Sequence, residues 1–403
     1  MKIALVIRDL NIRGGTQKQL LRLAEFLRKE GHDVKIFTQN FNPHNIYRGI
    51  EEFTVKTLPL NSNIDRKAEK KRFRGQKWGK LDKALKMIRL HAINLWISLK
   101  FVKMMEKDVE IINLHDLGLS PIILFAKMLR PRAKIVWQIN DLPAFFKKGV
   151  HSQVRERWYF PIMRGYFRFM TKLVDRITVN VTKNKIRAKE CLGVEAEVYY
   201  CGIDRLIEEK LTRKPSGDIF HLVSTGVFFR YRNYETILSA MKYLRDEEGI
   251  KTDLTVIGST ALDSDYAAEI MNLANHFGLT LKVLGEVSDE LLREVYRQAD
   301  AFVFVNLDQS WGLAIFEAMS CSLPVIISNN VGATEILNFE SGAILVDPKN
   351  SKEIGVWIKK LYEDHDFYKE ISRKGSNFVS NFTWDESYSS QILKLFQRLR
   401  GGP

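Results

Sequence analysis

Short β-branched runs alternate along this chain with longer amphipathic stretches, and the alternation stops once and begins again. Residues 2–7 (KIALVI), 34–38, 110–114, 134–138 and 176–181 read as buried strands separated by helical segments. Strands that are apolar throughout, and that do not alternate with polar residues, belong to parallel sheets covered on both faces. The rhythm is therefore βαβ. After Cys201-Gly202-Ile203-Asp204 it gives way to the polar stretch EEKLTRKPSGD, broken by Pro215, Ser216 and Gly217. It resumes with runs at 220–225, 254–257, 281–284, 301–305, 324–328 and 343–346. A length of 403 residues suits two such units. The predicted architecture is α/β: two doubly wound Rossmann-like domains, 1–205 and 206–385, and a closing helical segment, 386–403. Sheets of this kind bind ligands beyond the carboxyl ends of their strands, which places the expected active site in a cleft between the domains.

Charge divides unevenly between these halves. Through Arg205 there are 41 Lys and Arg against 20 Asp and Glu, a net of +21, while the remainder has 21 against 28, a net of −7. The first half is built to meet something anionic. Its densest part, residues 64–107, interleaves basic residues with Phe73, Trp78 and Trp96, and Leu81, Leu85, Ile88, Leu95, Leu99 and Val102 recur at roughly helical spacing. A basic amphipathic helix suits an anionic membrane surface. Its apolar stripe could equally pack on its own domain, since periodicity does not separate the two. No helix-turn-helix, zinc-finger or RNP pattern accompanies the charge, so nucleic acid is not an expected partner.

Other classes are excluded by what is missing. Cys191, Cys201 and Cys321 share no CxxC spacing, so neither a disulfide framework nor a zinc ribbon is expected, and a reducing cytoplasm fits best. The start, MKIALVIRDLN, lacks a long apolar core and a small-residue cleavage site. The most apolar candidate for a membrane span, 92–102, is interrupted by Asn94, Ser98 and Lys100. Without a secretion signal, the glycosylation pattern at Asn180 and at Asn381 reads as coincidence. No His, Asp and Glu spacing suggests a metal site, and no cofactor is expected.

Three segments could carry chemistry. Gly14-Gly15-Thr16 follows the first strand and opens a helix, where free N–H groups and the helix dipole would cradle an anion. The same glycines would also serve an ordinary strand-to-helix turn. The pattern is not GxGxxG, which demotes a dehydrogenase. In the second half, Gly226-Val-Phe-Phe-Arg230-Tyr-Arg232 again joins strand to helix, and two arginines there could neutralise a diphosphate or simply be solvated. The third segment is Gln309-Ser-Trp311-Gly312-Leu313-Ala-Ile-Phe-Glu317. A carboxylate in so apolar a helix needs hydrogen-bond partners, which the two hydroxyls of a ribose or a buried structural partner would supply. Gly312 permits close backbone approach to a phosphate.

These segments resemble the retaining GT-B glycosyltransferases of glycosyltransferase family 4. GGT followed by LLRLAEFLRKEGHDVKIFT, CGID at 201–204, Gly258 closing its strand, LGEVSDELLREVYRQADAFVFVN, WGLAIFEAMSCSLPVIIS, VGATEIL and the terminal FTWDESYSSQILKLFQRLR carry the likeness. The resemblance implies an NDP-sugar donor held mainly by the second domain, through Arg230, Arg232, Gly285, Val287, Gln309, Trp311, Gly312, Leu313 and Glu317, with Gly14, Gly15 and Thr16 facing it from the first. Glu317 matches the family's ribose-binding glutamate. Gln309 stands where the first glutamate of that pair is usual, and Val227 where an arginine is usual, so Arg230 becomes a displaced substitute. In the first domain Asn140 and Asp141 occupy a place where the family often has histidine. Asn140 joins Arg230, Arg232 and Gln309 as an implied catalytic group, and His115, Asp116, Asn140 and Asp141 are the acceptor candidates; a structural His115-Asp116 pair is the alternative. The implied reaction moves a sugar, with retention, to a hydroxyl of a lipid-linked or membrane-borne saccharide at the cytoplasmic face of a membrane. The rivals are a nucleotide-sugar epimerase on the same fold and a degenerate sugar-nucleotide-binding protein.

Overall fold

The computed structural model describes residues 1–11, 14–43, 47, 49–58, 80–115, 117–140, 160–204 and 217–401, with side chains for all of these except 80–90. The chain divides into two compact units. One comprises Met1–Asn180, Asn184–Tyr200 and Trp384–Pro403, the other Val181–Lys183 and Cys201–Thr383. The polar stretch expected to join them lies largely outside the described residues.

The first unit is a parallel sheet of β1 (Lys2–Leu10), β2 (Asp33–Phe41), β3 (Thr54–Thr57), β4 (Ile111–Leu114), β5 (Lys134–Ile139), β6 (Arg176–Val179) and β7 (Glu197–Val198), ordered β3-β2-β1-β4-β5-β6-β7. The register sets Leu5 of β1 between Ile36 and Asn113 of its neighbours. Its helices are α1 (Gly15–Lys29), α2 (Lys80–Met104), α3 (Pro121–Leu129), α4 (Phe160–Thr171), α5 (Thr182–Leu192) and the closing α12 (Ser390–Arg400). Burial follows the apolar runs: Val6, Phe37, Phe101, Leu114, Ile135 and Trp137 form one core with the inner faces of α2, α3 and α4. Each such side chain contributes about 1.5–3 kcal/mol on leaving water.

Two features depart from the sequence reading. β3 and β7 were not anticipated, because TVKT and EV are short and partly exposed and lack the continuous apolar signal of the inner strands. The expected stripe of α2 also packs only in part. Ile97, Ser98, Phe101 and Val102 are buried, whereas Leu95 and Trp96 are 44% and 47% exposed. The Lys100 ammonium lies 5.8 Å from the Trp96 ring centre. Leu81, Leu85, Ile88, Phe73 and Trp78 fall where no side chain is described.

The second unit repeats the plan with β8 (Ile219–Thr225), β9 (Lys251–Ile257), β10 (Thr280–Gly285), β11 (Ala301–Phe304), β12 (Val325–Ser328) and β13 (Ala343–Val346), all parallel in the order β10-β9-β8-β11-β12-β13. Between them run α6 (Tyr234–Glu248), α7 (Ser264–His276), α8 (Asp289–Gln298) and α9 (Leu313–Ser320), followed by α10 (Ser351–Glu363) and α11 (His365–Ser380). Leu222, Leu254, Val303, Ile326 and Ile344 pack against Ile237, Met241, Leu244 and Ile358. The carboxyl ends of these strands carry the donor-site candidates of the second half.

Candidate functional site

At the carboxyl end of β8 the chain must turn sharply beside its neighbours. Gly226 donates its N–H to Ile257 O at 2.8 Å, and Gly258 donates to Gly285 O at 2.8 Å, so three glycines close β8, β9 and β10 in one row. Gly258 has φ +155, and a Cβ there would lie 2.0 Å from Gly226 O. Only glycine fits such an approach. With no side chains at these points, backbone groups line the strand ends.

Arg232 sits against that row. A Cβ on Gly226 would come within 2.4 Å of the Arg232 guanidinium carbon, so the glycine makes its place. The guanidinium also lies over the Tyr231 and Phe304 rings, at 5.2 and 5.5 Å. Its Nε is buried without an acceptor. A buried donor left unmade is costly, and an anion at the strand ends is the kind of group that would complete it. Phe304 ends β11, and a Cβ on Gly312 would touch it at 3.5 Å, which ties Gly312 to the same place. Gly312 takes φ +107 as the residue preceding α9.

The turn carrying Arg232 is locked by a residue that sequence reasoning missed. Asn233 is buried in the left-handed region at φ 59. Its Nδ2 donates to Val305 O at 3.0 Å and Pro348 O at 2.6 Å, while its Oδ1 accepts from the Thr236 hydroxyl at 2.7 Å. Asparagine tolerates this conformation because its short amide replaces local backbone bonds. An asparagine directly after two arginines at a strand-to-helix turn is the signal that was available.

Arg230 does not join Arg232. Its Nη2 donates to Glu269 Oε1 at 2.7 Å, in a pair about half exposed on both sides, and its guanidinium lies 5.4 Å from the Tyr266 ring centre. Glu317 is half-buried on α9. Burial, with the Glu317 charge nearby, holds the Tyr296 phenol well above its ordinary pKa, and that phenol lies 3.2 Å from the Thr225 hydroxyl at the end of β8. Gln309 is half-buried; its Oε1 accepts from Asn306 at 3.3 Å and its carbonyl from Gly332 N at 3.0 Å. Gly285 ends β10, and Val287 lies two residues beyond it at the same end of the sheet. Trp311 is 3% exposed, its ring stacked 5.1 Å from Phe316 and 6.2 Å from Phe382. Leu313 begins α9 and is half-buried.

In the first unit, Gly14 precedes α1 with no side-chain cap and no acidic residue in the first turn, which leaves the helix start available to an anion. Gly15 is its first residue. The Asn140 side chain is engaged within the first unit. Its Nδ2 donates to Thr16 Oγ1 at 3.2 Å and to Gln19 Oε1 at 2.6 Å, and its Oδ1 accepts from Gln138 at 2.8 Å. Both amide hydrogens are thus used to fasten α1 to the end of β5. His115 is buried and donates through Nε2 to Asn113 Oδ1 at 2.6 Å. Burial lowers its pKa to about 3, so the ring is neutral at ordinary pH, with Nδ1 buried and without a partner. Asp116 and Asp141 lie outside the described residues. Among the described residues no three His, Cys, Asp or Glu side chains gather as a metal site would need, and no helix is long and apolar enough to cross a membrane.

Comparison with known proteins adds the family. The profile described as Glycosyltransferase Family 4 matches residues 13–205, and that of the Glycosyl transferases group 1 matches residues 207–378. The chain belongs to glycosyltransferase family 4. Its likeness to the O-antigen chain mannosyltransferase RfbU of Salmonella typhimurium is 28% over 241 residues, 57% of this chain and 63% of that protein. To the mannosylfructose-phosphate synthase of Agrobacterium fabrum it is 25% over 182 residues, 44% of this chain and 40% of the relative. The family-4 chain thus spans about half the length of these curated relatives. Anabaena HepE, solved with UDP-glucose, superposes with a TM-score of 0.72 over 99% of this chain and 100% of its own, at 15% identity. The fold of the family-4 chain is accordingly GT-B.

Proposed function

We propose that this chain transfers a hexose, with retention and without a metal ion, from a nucleoside diphosphate sugar to a hydroxyl of a membrane-borne saccharide. The observation that carries the reading is Arg232, a guanidinium with an unused buried donor, set against Gly226 and beside Gly312 at the strand ends of the second unit. A diphosphate would take that donor and the first N–H groups of α9, and Glu317 would receive the ribose hydroxyls. Arg232 then supplies the positive charge that stabilises the departing diphosphate. The bond from the anomeric carbon to the β-phosphate oxygen breaks, its electron pair staying with the phosphate. The acceptor hydroxyl forms the new bond from the same face and gives its proton to that phosphate oxygen.

The saccharide acceptor falls to the first unit by its charge. Its net of +21, with Leu95, Trp96 and Lys100 on the outside of α2, suits a saccharide borne on an anionic bilayer at the cytoplasmic face. The name of the RfbU relative, a mannosyltransferase of the O-antigen chain, supports a hexosyl donor and a polysaccharide acceptor. HepE, bound to UDP-glucose, supports the nucleotide-sugar class.

Incubating the full chain with UDP- and GDP-linked hexoses, with and without lipid-linked saccharide, tests the reading. Acceptor-dependent release of nucleoside diphosphate supports transfer. Isomerisation without acceptor indicates the epimerase, and binding without turnover indicates the degenerate binding protein that Gln309 brings to mind. Flotation with liposomes tests the membrane claim, which fails if anionic and neutral vesicles recover equal amounts.

A further inference from the structure

A second arginine, unclaimed by any motif, stands at the strand ends of the first unit. Arg8 lies on β1, two residues before its end, on one of the inner strands of the sheet. Its guanidinium occupies a space that exists because residue 118 is glycine: a Cβ there would lie 2.6 Å from the guanidinium carbon. Nη2 donates to the neutral Asn94 Oδ1 of α2 at 2.7 Å. Nε is buried without an acceptor, and among the described residues no carboxylate pairs with the side chain. At the adjacent strand end the described residue His115 is neutral and presents a second unpartnered buried atom, Nδ1. Arg8 therefore shows the same signature as Arg232: a place carved by a glycine, neutral or aromatic neighbours, and an unspent buried donor. A permanent charge held this way is destabilising until an oxyanion completes it.

We propose that Arg8, positioned by Asn94 and Gly118, binds an oxyanion carried by the acceptor, either a phosphoryl group or a carboxylate. The inference rests on the transferase reading, within which it makes the acceptor an anionic saccharide.

The test uses the full chain on an Arg232→Gln background, which removes the anion site of the second unit. Inorganic phosphate, methyl phosphate and glucuronate are titrated by calorimetry against Arg232→Gln, Arg232→Gln/Arg8→Gln and Arg232→Gln/Arg8→Lys. Arg8-dependent binding of the phosphates assigns a phosphoryl group, and of glucuronate a carboxylate. In either case affinity should fall about tenfold or more in the Arg8→Gln variant and recover in part with lysine, which keeps the charge but loses the fork. Equal affinity for all three anions with and without Arg8 overturns the proposal. Should Arg8→Gln fail to fold, tungstate soaked into crystals of the unaltered protein decides: anomalous density within hydrogen-bond reach of the Arg8 guanidinium supports the site, and density only elsewhere removes it. Sugar release from nucleotide donors is measured separately. Turnover without Arg8-dependent anion binding removes this inference alone, and anion binding without turnover removes the transferase reading alone.

Discussion

The two units carry similar sheets and each leaves an arginine with a buried donor unspent, Arg232 in the second and Arg8 in the first, but their other strand-end polar groups are used differently. At the strand ends of the second, Arg232 keeps a buried donor unspent while Asn233, Gly226 and Gly258 fix its position. At the corresponding ends of the first, Asn140 spends both amide hydrogens on Thr16 and Gln19, and His115 is held neutral. The lesson concerns where to look for ligand contacts. A polar group whose bonds are all made within the fold positions others, and a buried charged one left short of a partner is a candidate for ligand contact.

Breaking that contrast should have its largest effect at Arg232. Arg232→Ala is expected to lower nucleotide-sugar turnover by about 10²–10³-fold, the usual consequence of removing a preorganised charge from a developing anion. Steady-state release of nucleoside diphosphate measures it, and a change under threefold would contradict the role. Glu317→Ala comes next, with donor affinity about 10- to 100-fold weaker by titration, because the ribose loses a charged acceptor.

The first unit predicts effects on stability. His115 is buried neutral, with a folded pKa of about 3 against an ordinary 6.5. The unfolded chain therefore binds the extra proton between these values, and folding stability declines as pH falls below 6.5. Through this ring it should decline by about 1.4 kcal/mol per pH unit, or about 2 kcal/mol at pH 5. Urea unfolding of wild type and His115→Phe at pH 7.5 and pH 5 checks this, the variant losing less on acidification. Asn140→Ala should cost about 1–2 kcal/mol of stability through its lost bonds to α1, with a modest effect on donor affinity. If it abolished turnover while leaving stability intact, the contrast between the units would fail. The smallest change is expected for Arg230→Ala, within about threefold in turnover, since its exposed pair with Glu269 is of the weak surface kind.

What could be read without coordinates follows from how local each signal is. Strand 301–304 is apolar throughout and strand 325–328 is apolar up to its final Ser328, and such runs announce a sheet buried on both faces. β3 and β7 lie at the two edges of the first sheet, where the exposed Lys56 and the half-exposed Glu197 blur the pattern. The neighbourhood of Gly226, Gly312 and Glu317 was legible because glycine at a strand-to-helix turn and a carboxylate in an apolar helix are costly choices. The divergence of Arg230 from Arg232 was not, because it depends on Glu269 in another helix. The fate of Asn140 depends on partners more than a hundred residues away. Arg8 was missed for a similar reason. A basic residue near the end of an apolar strand looks solvated until Gly118 is found to have made room for it.

A crystal structure of the full chain soaked with a nucleoside diphosphate sugar would test the central claim most directly. The account predicts the diphosphate within hydrogen-bond distance of Arg232 and the α9 start, with the ribose hydroxyls on Glu317. A nucleotide lodged elsewhere, or bound with the Arg232 Nε still lacking an acceptor, would contradict it.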